Sequence, residues 1–151
     1  MMNRLLIIAL LLVSNNSFGQ KSKMSFERLK ALKMSYITER IGLPEAEETV
    51  FWEIYDQYEK RIFDDCRINI KNLRKTYMKS KDIMNNDKAL ELIKKINALE
   101  QHALQLKVER DKSLLEKFSA VKILKMHHAE YHFNREMVYK MRKKQEDTKN
   151  N

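Results

Sequence analysis

From Glu45 to Asn151, 107 consecutive residues contain neither glycine nor proline. Strands and tight loops rarely manage without those two residues, so the stretch has to be long helices joined by few connections. The residues just before it punctuate the chain. Gly42 can take the left-handed conformation that ends a helix, and Pro44 suits the first turn of another, where its missing N–H would be unbonded anyway. One helix is expected to stop near Ile41 and the next to begin near Pro44. Glu45, Glu47 and Glu48 then fall in the first turn, where unbonded N–H groups favour negative charge.

Apolar spacing divides the chain into four helices, an all-α fold of elongated, hairpin-like form. The first spans residues 22–41, with Phe26, Leu29, Leu32, Ile37 and Ile41 on its apolar side. The second runs from Glu45 to about Lys79. Its stripe, Phe51, Ile54, Tyr55, Tyr58, Ile62, Cys66, Ile70, Leu73 and Tyr77, recurs at steps of three and four. At about 1.5 Å per residue it is on the order of 50 Å long, too long to bury that stripe inside a small monomer. After a turn at Ser80–Asn86, Asn86 or Asp87 caps a third helix reaching about Lys117. Its seam of Leu92, Ile96, Leu99, Ala103 and Leu106 decays at Arg110 and Ser113, which favours ordinary bundle packing over a sustained coiled coil. Ser119 caps a fourth helix reaching about Lys144. Val121, Leu124, His128, Tyr131 and Val138 form its expected apolar side, widened by Met126, Phe133, Met137 and Met141. Residues 20–144 are thus expected to form one domain, with 145–151 a disordered tail.

Charge is unevenly divided along the second helix. From Pro44 to Asp65 eight acids face only Lys60 and Arg61, whereas from Cys66 to Lys81 there are six bases and no acid. Two copies laid antiparallel would match acid to base at both ends, so a homodimer is expected. The other explanation, a solvated helix complementing its own dipole, covers part of the pattern but not 35 residues of it.

Residues 1–19 have the layout of a cleaved secretory signal peptide: Arg4, nine apolar residues from Leu5 to Val13, a polar segment, then Ser17-Phe18-Gly19. The apolar run falls short of the roughly 20 residues needed to span a bilayer; an uncleaved N-terminal anchor is the other reading. Cleavage would take the net charge from +9 to +8. For an exported protein such an excess points to anionic surfaces, acidic proteins or unfolded chains, and away from nucleic acid.

No nucleophile elbow, phosphate-cradling glycine loop or Cys-x-x-Cys is present, so neither an enzyme nor a small-molecule substrate or cofactor is expected. Cys66, the one cysteine, fits a small buried hydrophobe on its stripe; an intermolecular bridge is the alternative. His128 and His132, four apart on one helix, are the only candidates for a metal pair. No metal site is expected from them, and Met126, Met137 and Met141 fit core filling better than ligation.

Two helix starts look alike: Leu43-Pro44-Glu45-Ala46-Glu47 and Phe118-Ser119-Ala120-Val121-Lys122. They resemble the Spy/CpxP superfamily, marked by a twice-occurring LTxxQ motif, and within it the branch labelled sensor of ECF-type sigma factor or periplasmic heavy-metal sensor. In that branch a Phe-Trp pair follows the first Leu by eight and nine residues, as Phe51 and Trp52 follow Leu43. Pro44 and Glu47 replace the motif's Thr and Gln in the first copy; Phe118, Ser119 and Lys122 replace Leu, Thr and Gln in the second. The resemblance spans residues 24–143 by layout. It implies a periplasmic, ATP-independent envelope-stress protein, dimeric and cradle-shaped, that binds unfolded proteins on a face mixing apolar and basic residues. Arg67, Lys71, Arg74 and Lys75 are the bases that suit such a face. The alternative it implies is a regulator, with or without gating by metal, that binds a membrane-bound stress-signalling partner, an anti-sigma factor or sensor kinase.

Overall fold

The computed structural model describes residues 26–149, so the leader expected at 1–19 and the start of the first helix at 22–25 lie outside the described residues. Two compact units divide after Ser35. The described part of the first is the opening stretch of α1, and everything below concerns the second, from Tyr36 onward.

Among the described residues every element is helical, as the glycine- and proline-free run requires. Helix α1 is Phe26–Ile41. Helix α2 is continuous through three segments: Glu45–Arg61, a π-helical Ile62–Arg67 and Ile68–Ser80. A short 3-10 turn, Lys81–Ile83, leads into α3, Asn86–Leu115, and α4 is Ala120–Lys149. The fold is all-α with four helices, as expected.

Gly42 ends α1 as its sequence position suggests, with φ +61°. Its N–H bonds to the Glu39 carbonyl at 3.3 Å and the Leu43 N–H to the Thr38 carbonyl at 3.2 Å, the paired closing bonds of a Schellman turn. Helix α2 begins at Glu45, as expected, with Pro44 immediately before it. With ψ 146° Pro44 is the extended residue flanking α2 rather than its first helical one, and its carbonyl accepts from the Glu47 N–H at 2.8 Å. The cap of α3 is one residue early: Asn85, not Asn86 or Asp87, accepts from the Lys88 N–H at 2.9 Å, because Asn85 is the residue whose backbone is still extended. Ser119 caps α4 as expected, accepting from the Lys122 N–H. Helix α4 continues to Lys149 through residues read from sequence as a disordered tail, since nothing in Gln145–Lys149 breaks a helix.

The π-helical turn has a cause in the spacing of the stripe. Tyr58, Ile62, Cys66 and Ile70 follow one another by fours, twelve residues over three turns, against about 10.8 for an ideal α-helix. The surplus of roughly one residue would rotate the stripe off its partner; i→i+5 bonding takes it up, as in the Ile68 N–H donating to the Phe63 carbonyl. Ile62 and Cys66 are thereby kept on the side facing α3, where they pack with Leu106 and are flanked by Tyr58 and Ala103. The buried Cys66 is the small hydrophobe of this cluster. Burial, helped by Asp65 and opposed by Arg67, pushes its thiol pKa up and away from reactivity.

Helices α2 and α3 form an antiparallel hairpin: Tyr58 meets Ser113, Cys66 packs by Leu106, and Arg74 reaches Glu100. Helix α4 runs back along the near end of this hairpin. Here an aromatic cluster joins the elements. Phe51 lies edge-on to Trp52 (5.1 Å) and to Phe118 (5.4 Å), Trp52 packs on Tyr55 (5.0 Å), and the Trp52 indole donates to Thr38 at 3.1 Å.

Helix α4 overturns its expected orientation. Val121, Leu124, His128, Tyr131 and Val138 are all exposed, while Ile123, Met126, Ala129 and Phe133 are buried. The helix has two apolar arcs, and the inward one is chosen by the residue in its middle, Glu130, which pairs with Arg110 of α3.

Candidate functional site

The residues proposed from sequence as two matched helix starts are brought to one end of the molecule. Leu43 and Phe118 are both buried, and the Lys122 ammonium pairs with the Glu47 carboxylate across α4 and α2. The same ammonium lies 5.5 Å from the centroid of the Phe118 ring. The motif positions Glu47 and Lys122 therefore meet each other directly, with Ser119 closing the start of α4 and Pro44 preceding α2.

Arg67, which closes the π-helical turn, and Lys71, Arg74 and Lys75 on the α2 segment beyond it lie elsewhere, and all four are exposed. Arg67 contacts Glu59 at 3.5 Å and Arg74 contacts Glu100 at 3.6 Å, loose pairs that leave the face basic. Ile68, Tyr77 and Met78 are exposed on the same segment, and Ile83 follows at 87% exposure. This end of the hairpin offers mixed apolar and cationic surface.

The most unusual group is one that the sequence reading passed over as the decay of a seam. Arg110 is fully buried (0% exposed), yet all five of its N–H donors are used. Nε and Nη2 donate to Asp111 (3.1 and 3.0 Å), Nη1 to Glu59 and Glu130 (3.3 and 3.1 Å), and Nη2 also to Glu130 (3.3 Å). The Tyr55 ring stacks against the guanidinium at 4.9 Å and its hydroxyl donates to Glu130. Burial works against the Arg110 charge, but Glu130, then Tyr55 and Asp111, outweigh it and raise its pKa. Burial, reinforced by Glu130 and Glu59, raises the Tyr55 pKa well above that of an ordinary phenol. Two further side chains reach the rim, Arg67 at Glu59 and His127 at Asp111 (2.7 Å). One arginine thus ties α2, α3 and α4 in a single register, and with every donor engaged it has none left for a ligand. Ser113, the second polar position in the seam, meets the Tyr58 hydroxyl at 2.9 Å. The signal was present in the sequence: charged Arg110 stands where the spacing from Leu106 to Leu114 demands an apolar residue, and Glu130 interrupts Met126 and Phe133 in the same way.

His128 and His132 do share a face, with ring centroids 4.3 Å apart. Among the described residues no third histidine, cysteine or carboxylate joins them in a group able to hold a metal ion.

No family model, curated protein or solved structure matches this chain.

Proposed function

We propose that the chain is a non-enzymatic binding protein of the bacterial periplasm that shields unfolded polypeptides without ATP. The observation that carries this is the balance of its apolar side chains: among the described residues from Tyr36 onward sixteen large hydrophobics are exposed, against fourteen buried in the core beside Cys66 and Ala129. A monomer spends that much exposed apolar surface only where it binds something. On the α2 segment Ile68–Ser80 the exposed groups alternate with Arg67, Lys71, Arg74 and Lys75. Bases at that spacing draw in acidic segments from a distance, and the apolar groups then hold them by many weak contacts. The charge division along α2 supports a homodimer, whose mass light scattering reads directly.

The test is the aggregation of a denaturing client followed by turbidity. Suppression at a several-fold excess of this protein, weakened by Lys71→Glu with Lys75→Glu, is expected; unchanged aggregation removes the chaperone claim. Recovery of a single stoichiometric envelope partner, in place of many weak ones, would transfer the reading to a regulator of a membrane stress-signalling protein.

A further inference from the structure

The outward arc of α4 is not used by the client-binding face. At about 100° per residue, Val121, Leu124, Tyr131, Val138 and Tyr139 share this arc with Lys125, Arg135, Arg142 and Lys143. All nine are exposed, Leu124 at 71% and Val121 at 65%. Between Ala120 and Lys143 the helix has only two acids, and both lie off the arc. Glu130 is held by Arg110 and Tyr55; Glu136 accepts from the Tyr36 hydroxyl at 3.0 Å and contacts Lys140 at 3.8 Å. The arc is therefore free of carboxylate over about six turns, while its apolar residues include two tyrosines. At its head an open groove of about 750 Å³ has Val121 and Leu124 as apolar lining, Arg40 and Lys125 as cationic lining, and His127 and His128 beside them. His127 is hydrogen-bonded to Asp111.

We propose that this face of α4 lies on the surface of a lipid bilayer containing anionic phospholipid, with Val121, Leu124 and Val138 dipping below the headgroups, the two tyrosines at headgroup level, and the bases against the phosphates. Helices that rest in an interface carry this combination of an apolar strip, aromatic residues and Lys/Arg without acids. A second copy of the chain fits less well: its acidic segment, Glu45–Arg61, exposes one large hydrophobic, Val50, and would match the charges while leaving the apolar strip uncovered. Nucleic acid would leave the same strip against phosphate. The groove would take a headgroup phosphate among Arg40 and Lys125 with the start of an acyl chain over Leu124.

Co-sedimentation with phosphatidylcholine vesicles, with and without phosphatidylglycerol and at low and high salt, tests this, with wild type and variants recovered from cells identically so that any leader contributes equally. Binding that requires phosphatidylglycerol and weakens with salt is expected. A base near an anionic surface is worth about fivefold in partition, so Lys125→Glu with Arg135→Glu should weaken binding on the order of tenfold or more. Leu124→Ser with Tyr131→Ser should weaken it at both salt concentrations. Circular dichroism confirms that each variant keeps its helices; should one fail, Arg142→Glu with Lys143→Glu replaces it. Equal binding to both vesicle types, no binding to either, or charge reversal without effect overturns the proposal. A doubled mass in solution that Leu124→Ser with Tyr131→Ser returns to monomer would also overturn it, assigning the face to a second copy. Loss of vesicle binding with client protection intact separates this surface from the client-binding one.

Discussion

Between Phe51 and Cys66, α2 buries Phe51, Trp52, Tyr55, Ile62 and Cys66, whereas from Ile68 to Ser80 it buries no side chain at all. Both stretches are amphipathic and both face α3 in one hairpin. The difference lies in what else arrives: the near end is also covered by α4 and by the close of α1, and Arg110 ties the layers together, while among the described residues the far end has α3 alone. A single opposing helix half-covers a stripe, so Ile70 and Leu73 are intermediate and Tyr77 stays 49% exposed. Cohesion and available surface are thus segregated along one helix, and the far end belongs to the part of the molecule that opens locally at low cost.

Breaking the near end should have the largest effect. Arg110→Met removes the central countercharge of the part-buried Glu59 and Glu130 carboxylates and should cost about 3–5 kcal/mol in urea unfolding. Adding Glu59→Gln and Glu130→Gln to that variant should restore more than half of the loss, because the uncompensated charges go with it. If the triple variant is no better than the single, the knot stabilises by packing and not by charge.

Leu106→Ala, in the Ile62 and Cys66 cluster, should cost about 2–5 kcal/mol, whereas Leu73→Ala at the far end should cost about 1 kcal/mol. Equal losses would erase the contrast between the two ends.

Tyr55 makes the contrast pH-dependent. The folded chain keeps a phenol proton that the unfolded chain releases near pH 10, so the stability it contributes is whole below about pH 10 and drains away above it. Thermal melts should therefore fall steeply above about pH 10 in the wild type, with a shallower slope in Tyr55→Phe. The smallest effect belongs to Arg74→Ala, an exposed pair with Glu100 at 3.6 Å, expected to change stability by no more than about 0.5 kcal/mol.

How far the sequence foretold this follows the same division. The Gly42 stop, the Ser119 cap, the α2 stripe as far as Cys66 and the burial of Cys66 itself are local or periodic, and each is found in the structure. The phase of α4 is not local. Its two apolar arcs, one through Val121 and Leu124 and one through Ile123 and Met126, are nearly equivalent on the helix alone. Only a carboxylate at Glu130 that must reach Arg110, on a different helix, decides between them. Treating Arg110 as the end of a seam hid that pairing, since a buried charge becomes legible only together with its partners. Of the site residues, Glu47 and Lys122 were singled out for a motif, but their mutual contact follows from three-dimensional neighbours that spacing does not reveal.

The wide turn at Ile62–Arg67 has a geometric consequence for everything beyond it. Because that turn accommodates one supernumerary residue, it acts as an aiming device, setting the azimuth at which Lys71 and Lys75 project relative to the aromatic cluster. Excising a single residue there would yield a plain helix of nearly the same length whose ammonium groups keep their direction to within about 20°, whereas straightening the turn with every residue kept would swing them by about 100° around the axis. The direction in which this protein presents its cations is therefore written in a count of residues and not in their chemistry.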